Sequence, residues 1–219
     1  MKKNVIKIMI LIMLSIVLLN AKSFGQIYVN VDATGSNNGT SWQHAYNHLQ
    51  DALDQATDGD EIWVAKGTYY PDLGDNVSNN DRMASFNMKT GVNILGGFLS
   101  GDGLSSRKPF VNTTTLCGNI NTSQPELGSY HVVFCNNVDN SAILDGFTIM
   151  GGRANGINSN GNGGGVFNQN SSPVIVQCVF LDNKAVGSGG AVFIDSQSSP
   201  YLSYCVFSNN EAQMGGGLS

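Results

Sequence analysis

The sequence predicts an all-β chain, a parallel β-helix solenoid with an amphipathic helix capping its N-terminal end, and three observations carry that expectation. The glycine block 163–166 (Gly-Gly-Gly-Val) returns at 189–192 and at 215–218, each time 26 residues on. Between the blocks, Ser-Ser-Pro at 171–173 returns at 198–200, Cys178-Val179-Phe180 as Cys205-Val206-Phe207, and Asn183 as Asn210, all at a spacing of 27. The segments in between (174–180, 201–207) are short, β-branched and aromatic, and are bounded by Gly, Ser, Pro and Asn, which marks strands rather than helices. A fixed period of this size belongs to solenoids, where each repeat buries its apolar face only against its neighbours.

The elements follow in order. Lys2 and Lys3 precede an apolar run at 8–19 and small residues at Ser23 and Gly25, the form of a secretory signal peptide cut after Gly25. The run is too short for a bilayer span, which takes about 20 residues. Residues 27–31 read as a first strand and 32–39 as a loop. Thr40 and Gln43 have the spacing of a capping box, and Trp42, Ala45, Leu49, Ala52, Leu53 and Ala56 then fall on one helical face, so a helix is expected over 41–57. Residues 26–75 are read as the N-terminal cap (strand, helix, strand), because an open solenoid end exposes apolar side chains and unpaired backbone. Residues 76–219 are read as the coils. The stretch 72–82 reads as a surface excursion, and the runs 92–98, 114–116 and 131–135 as strands of irregular early coils.

Stacking at this period places Ile175 over Leu202, Cys178 over Cys205 and Phe180 over Phe207, all pointing inward. Asn183 and Asn210 fall at the following turn, where side-chain amides can bond along the axis. Leu144, Phe147 and Ile149 precede Ile175, Cys178 and Phe180 by 31 residues, which puts the extra residues in an exposed loop at 153–162. Pro173 and Pro200 stand at strand starts, where a missing N–H costs least. The glycine blocks supply positive φ at turns. Ser219 follows a glycine block, where a further coil is expected, so the chain reads as part of a longer protein.

Composition bounds the function. After Gly25 the chain keeps seven basic against sixteen acidic residues, a net charge of −9, which offers no basic patch for nucleic acid or an anionic membrane. Cys117, Cys135, Cys178 and Cys205 show no zinc spacing. Stacking brings Cys178 and Cys205 within disulfide reach in an oxidising compartment, and the free thiol as a small core residue is the other reading. His44 and His48 have the spacing of a ligand pair with no third ligand nearby; a solvent-side position is the simpler account. Asp58 to Glu61 is acidic without the calcium-loop pattern, so no cofactor is expected.

The run Tyr28-Val29, Gly39-Thr40-Ser41-Trp42, Ala45-Tyr46, Leu49-Gln50-Asp51-Ala52-Leu53 and 59–69 resembles the start of secreted right-handed parallel β-helix proteins with a pectate-lyase-like fold. Residues 92–98 and 144–149 look like later landmarks of that family. The tail, with Gly189-Gly190-Ala191-Val192 and Phe207-Ser208-Asn209-Asn210, is similar to polymorphic outer membrane protein repeats. The resemblance implies a secreted or outer-membrane surface protein of a bacterium, commonly an adhesin, and transfers no catalytic residues.

Two functions follow as expectations. One is a non-enzymatic scaffold that binds extracellular polysaccharide or a host or neighbouring cell surface, with Tyr201 and Tyr204 as stacking platforms. The other is a carbohydrate-active enzyme, a polysaccharide lyase or glycosidase. A lyase needs cations and a base, and a glycosidase needs facing carboxylates. Asp145, Asp182, Arg153 and Lys184 are the candidates in the regular coils, with Asp145 and Asp182 sharing a face across neighbouring coils.

Overall fold

The computed structural model describes residues 25–219; the predicted leader lies outside the described residues. Three parallel sheets and a small fourth carry the chain. Sheet I orders β1 (Gln26–Val29), β2 (Glu61–Ala65), β5 (Asn93–Phe98), β8 (Ile143–Asp145), β12 (Val174–Val176) and β16 (Tyr201–Ser203). Sheet II orders β3 (Gly67–Tyr69), β6 (Thr114–Cys117), β9 (Thr148–Met150), β13 (Val179–Leu181) and β17 (Val206–Ser208). Sheet III orders β4 (Phe86–Asn87), β7 (Val133–Asn136), β11 (Val166–Gln169) and β15 (Val192–Ile194). Sheet IV pairs β10 (Arg153–Ala154) with β14 (Lys184–Ala185). From β2 onward the chain visits sheets I, II and III in the same order, and each strand pairs with its counterpart from the passage before. Sheet I crosses position 75 without a break, so residues 26–75 and the rest share one sheet and one core.

The register is the one the repeat dictates. Leu144, Ile175 and Leu202 align in sheet I, and Ile149, Phe180 and Phe207 in sheet II. The Phe180 and Phe207 rings stack with centroids 4.9 Å apart. Phe147, Cys178 and Phe180 are buried in the main core cluster, with Leu202 and Cys205 packed against it. All four cysteines are free, so the thiol ladder is the arrangement adopted. Burial pushes the Cys135 and Cys178 thiols up to about 12.

Corners repeat as closely as strands. Gly146, Gln177 and Tyr204 occupy equivalent positions after sheet I with φ of 83°, 50° and 53°. Gly151, Asp182 and Asn209 do the same after sheet II, with φ of 75°, 53° and 54°. Each corner takes a single left-handed residue, a region in which glycine and Asn are common and Gln and Tyr uncommon. Gly163, Gly189 and Gly215, the first glycine of each block, are left-handed as well.

The buried Asn183 holds the next turn. Its Nδ2 donates to the Ile149 carbonyl (2.9 Å) and to Asn210 Oδ1 (3.0 Å), and its Oδ1 accepts from the Gly152 N–H (3.0 Å). Asn210 Nδ2 repeats the pattern on the Phe180 carbonyl at 2.9 Å.

The N-terminal helix differs from expectation. Helix α1 spans Leu49–Gln55, not 41–57; its N-cap is His48, which makes no side-chain cap bond, and Thr40 bonds Asn38 instead. Residues 39–46 serve the outer edge of β1: Tyr28 N–H donates to the Gly39 carbonyl (2.9 Å), and Tyr46 exchanges backbone bonds with Tyr28 and Asn30. An unpaired strand edge demands partners, and here that demand overrides helical periodicity. Leu49, Ala52, Leu53 and Ala56 still enter the core, while Trp42 packs outside it on Tyr28 and Phe98 (ring centroids 4.9 and 5.6 Å). His44 and His48 therefore do not share a helical face. Within the expected surface excursion, Asp72 is buried and accepts the Asn80 N–H at 2.8 Å. Within the expected loop 153–162, Arg153–Ala154 forms a strand and only the part beyond it is exposed.

Candidate functional site

After the corners at Gly151 and Asp182 the chain lays down β10 and β14 before reaching the glycine blocks. Arg153 pairs with Lys184 in register, and Lys184 bridges to Glu211. Side chains from three successive passages thus line up along one outer face. They line a groove of about 510 Å³, walled by Glu126, Asn155 and Val186.

The groove is held from beneath. Arg153 Nη1 donates to the carbonyls of Gly152 (2.9 Å) and Asp182 (2.7 Å), tying two passages together. Arg82 donates to the carbonyls of Gly128 (2.8 Å) and Arg153 (3.0 Å) and to Asn155 Oδ1, and its guanidinium lies 4.1 Å from the Tyr130 ring centroid. Lys184 Nζ lies 2.7 Å from Glu211, both largely exposed. The hydrogen bond and charge of Lys184 hold the Glu211 carboxyl below its ordinary value. Glu211 is therefore a carboxylate at neutral pH, the wrong state for protonating a leaving glycosidic oxygen.

Of the four residues weighed for catalysis, the fold brings Arg153 and Lys184 together and keeps Asp145 and Asp182 apart. Asp145 ends β8 in sheet I, whereas Asp182 forms the corner after sheet II. Asp145 is also fully engaged: Arg107 Nη1 lies 2.7 Å from its Oδ2, Arg107 Nη2 donates to its carbonyl at 2.8 Å, and Gln177 Nε2 donates to its Oδ1 at 3.2 Å. Tyr201 and Tyr204 are 62% and 83% exposed; Tyr201 begins β16 on the outward side, and Tyr204 stands at its corner. Among the described residues, no group of three His, Cys, Asp or Glu side chains could hold a metal ion.

Sequence reasoning missed Glu211 and Glu126. Glu211 was within reach, since it follows Lys184 by the repeat spacing of 27; Glu126 sits in a loop with no repeat counterpart. It also missed an outward ladder on sheet III, where Phe134, Phe167 and Phe193 align in register. Phe167 and Phe193 occupy the same place after successive glycine blocks, so the repeat spacing of 26 carries the signal.

Compared with family models, curated proteins and solved structures, the chain matches none. Among the described residues, no helix is long and apolar enough to cross a membrane.

Proposed function

We propose that the protein is a secreted or cell-surface right-handed parallel β-helix of the pectate-lyase-like type, with repeats of the polymorphic outer membrane protein kind, acting as a non-enzymatic adhesin or glycan-binding scaffold. Its ligand is an extracellular polysaccharide or a neighbouring cell surface, and the basic, apolar start of the chain serves as its leader. The observation that carries this reading is the in-register row Arg153, Lys184 and Glu211 along an open groove, in which Lys184 holds the Glu211 carboxyl ionised. Such a row sets charged side chains at strand spacing along an axis, two cations and then a carboxylate, where successive units of a polymer could each find a polar partner.

The test is native electrophoresis through gels cast with neutral and acidic polysaccharides, with and without calcium. Retarded migration without clearing is the expected result. Loss of retardation in an Arg153→Ala/Lys184→Ala variant would assign it to the groove; unchanged migration in every gel would end the reading. The carbohydrate-active-enzyme reading has one observation in its favour, the presence of Glu126 and Glu211 in the same groove as the two cations. Cleared zones abolished by Glu211→Gln would establish it instead.

A further inference from the structure

A second concavity, of about 300 Å³ and sharing no lining residue with the groove, opens on the outer face of sheet III. Its apolar lining is Met83, Phe134 and Phe167, with His131 beside them, and its polar lining is the amides of Asn87, Asn160 and Gln169 and the hydroxyls of Ser85 and Ser159. The aromatic groups form a continuous stack: His131 to Phe167 4.8 Å, Phe134 to Phe167 5.8 Å, Phe167 to Phe193 5.1 Å between centroids. The register explains why a ring remains available. In line with Phe134, the preceding passage presents Asn87, an exposed amide, so no ring continues the stack beyond Phe134. Phe134 is half-buried while Phe167 is covered.

The lining contains no Asp, Glu, Lys or Arg. His131 is fixed by a hydrogen bond from its Nδ1 to the Gly163 carbonyl (2.9 Å), and burial holds it below its ordinary value, so it is neutral at pH 7. The opposite wall comes from a different part of the chain: Asn160, in the 3-10 turn Asn158–Gly161, donates to Met83 Sδ at 3.5 Å. Aromatic walls, side-chain amides and hydroxyls around them, and no formal charge select a ligand with apolar C–H faces and many hydroxyls.

We propose that this pocket is a binding subsite for a neutral pyranose unit, seated against Phe134 with its hydroxyls on Asn87, Asn160 and Gln169. The assignment rests on the reading of the chain as a glycan-binding scaffold and names a place and a sugar class that the charged groove does not. The size fits a short segment, at the lower end of ligand pockets (about 300–1,000 Å³).

Titration of the protein with neutral trisaccharides (cellotriose, xylotriose, maltotriose, chitotriose), followed by ligand-observed saturation-transfer NMR, tests it. At least one trisaccharide is expected to bind, with Phe134→Ala weakening it about tenfold. Asn87→Phe, which continues the ring stack into the pocket from an exposed position, is expected to abolish binding while leaving the urea midpoint unchanged or raised. It therefore separates occlusion from misfolding. No transfer to any of the four neutral sugars, or binding indifferent to both Phe134→Ala and Asn87→Phe, overturns the subsite. In either case retardation in the polysaccharide gels that depends on Arg153 and Lys184 would leave the scaffold reading standing, so the two can fail separately.

Discussion

Replacing Asn183 with Ala tests whether the amide ladder stabilises the stack or merely accompanies it. The side chain is fully buried and makes three hydrogen bonds, two of them to backbone groups of the preceding passage, the Ile149 carbonyl and the Gly152 N–H. Both backbone groups belong to buried residues, where water cannot replace the lost partner. The Gly152 N–H is left unpaired, at about 1–3 kcal/mol, and the Ile149 carbonyl, which keeps its place in the β9/β13 ladder, loses one accepted bond worth about 1 kcal/mol, so the expected loss is about 2–4 kcal/mol. That is a large share of the roughly 5–15 kcal/mol by which domains are stable.

In urea, with a slope of about 3 kcal/mol per M, the midpoint should fall by about 1 M. Asn210→Ala is the control. It makes the equivalent bond to Phe180 but is only half-buried, so water can substitute and the loss should be about 1 kcal/mol. Asn183→Asp keeps the acceptor for Gly152 and loses both donated bonds, leaving a carboxylate facing two oxygens; it should be at least as damaging at neutral pH and partly relieved in acid. Equal midpoints for Asn183→Ala and Asn210→Ala would refute the argument, because burial would then have no bearing on the value of the ladder.

Three further outcomes follow from the same geometry. Gly152→Ala would place a methyl group on the Gly164 carbonyl oxygen of the adjoining passage, and overpacking of this kind should lower stability by about 1–3 kcal/mol or more, measured as a fall in urea midpoint. Arg107→Met strands the mostly buried Asp145 carboxylate with Gln177 as its remaining side-chain partner; the expected loss is about 2–4 kcal/mol, and Arg107→Met/Asp145→Leu should recover much of it. The Cys135 and Cys178 thiols are raised from 9.0 to about 12 in the folded chain, so folding keeps them protonated where the unfolded chain would lose the proton. Their contribution is whole below pH 9 and is lost as pH climbs from 9 towards 12, so urea midpoints should fall over that window, and a Cys135→Ala/Cys178→Ala variant should show a shallower fall.

The inward half of the fold was legible because stacking makes it repetitive. A residue that must fit against its own counterpart one passage away tends to be the same kind of residue, which is why Phe180 over Phe207 and Asn183 over Asn210 could be read from spacing alone. The helix boundary was not legible for the opposite reason. Trp42 and Ala45 suit a helical period, yet the backbone around them is claimed by the free edge of β1, a demand that no periodicity records. The charged pair failed similarly: Asp145 ends a sheet I strand and Asp182 stands at the corner after sheet II, so they fall at different corners of the passage, and the partner that engages Asp145 is Arg107, from a loop outside the regular pattern. The 31-residue offset that aligns Ile149 with Phe180 also aligns Arg153 with Lys184, but residue 153 reads from composition as the start of an exposed loop, which hides the pairing.

The same stacking separates what holds the molecule together from what it presents. Inward positions and corners are constrained twice, by the passage before and the passage after, so substitution there is costly. Outward positions are constrained only by the need for a strand, and they are where the two concavities lie, the groove beside sheet IV and the aromatic pocket on sheet III. Each is built from residues one passage apart: Arg153, Lys184 and Glu211 in the first, Phe134 and Phe167 in the second. Groups set one passage apart along an axis suit the proposed recognition of a repeating polymer, whose units also recur along a line. On this architecture, binding strength should grow with the number of rungs a ligand spans, and longer saccharides should bind more tightly than the trisaccharides that suffice to locate the pocket.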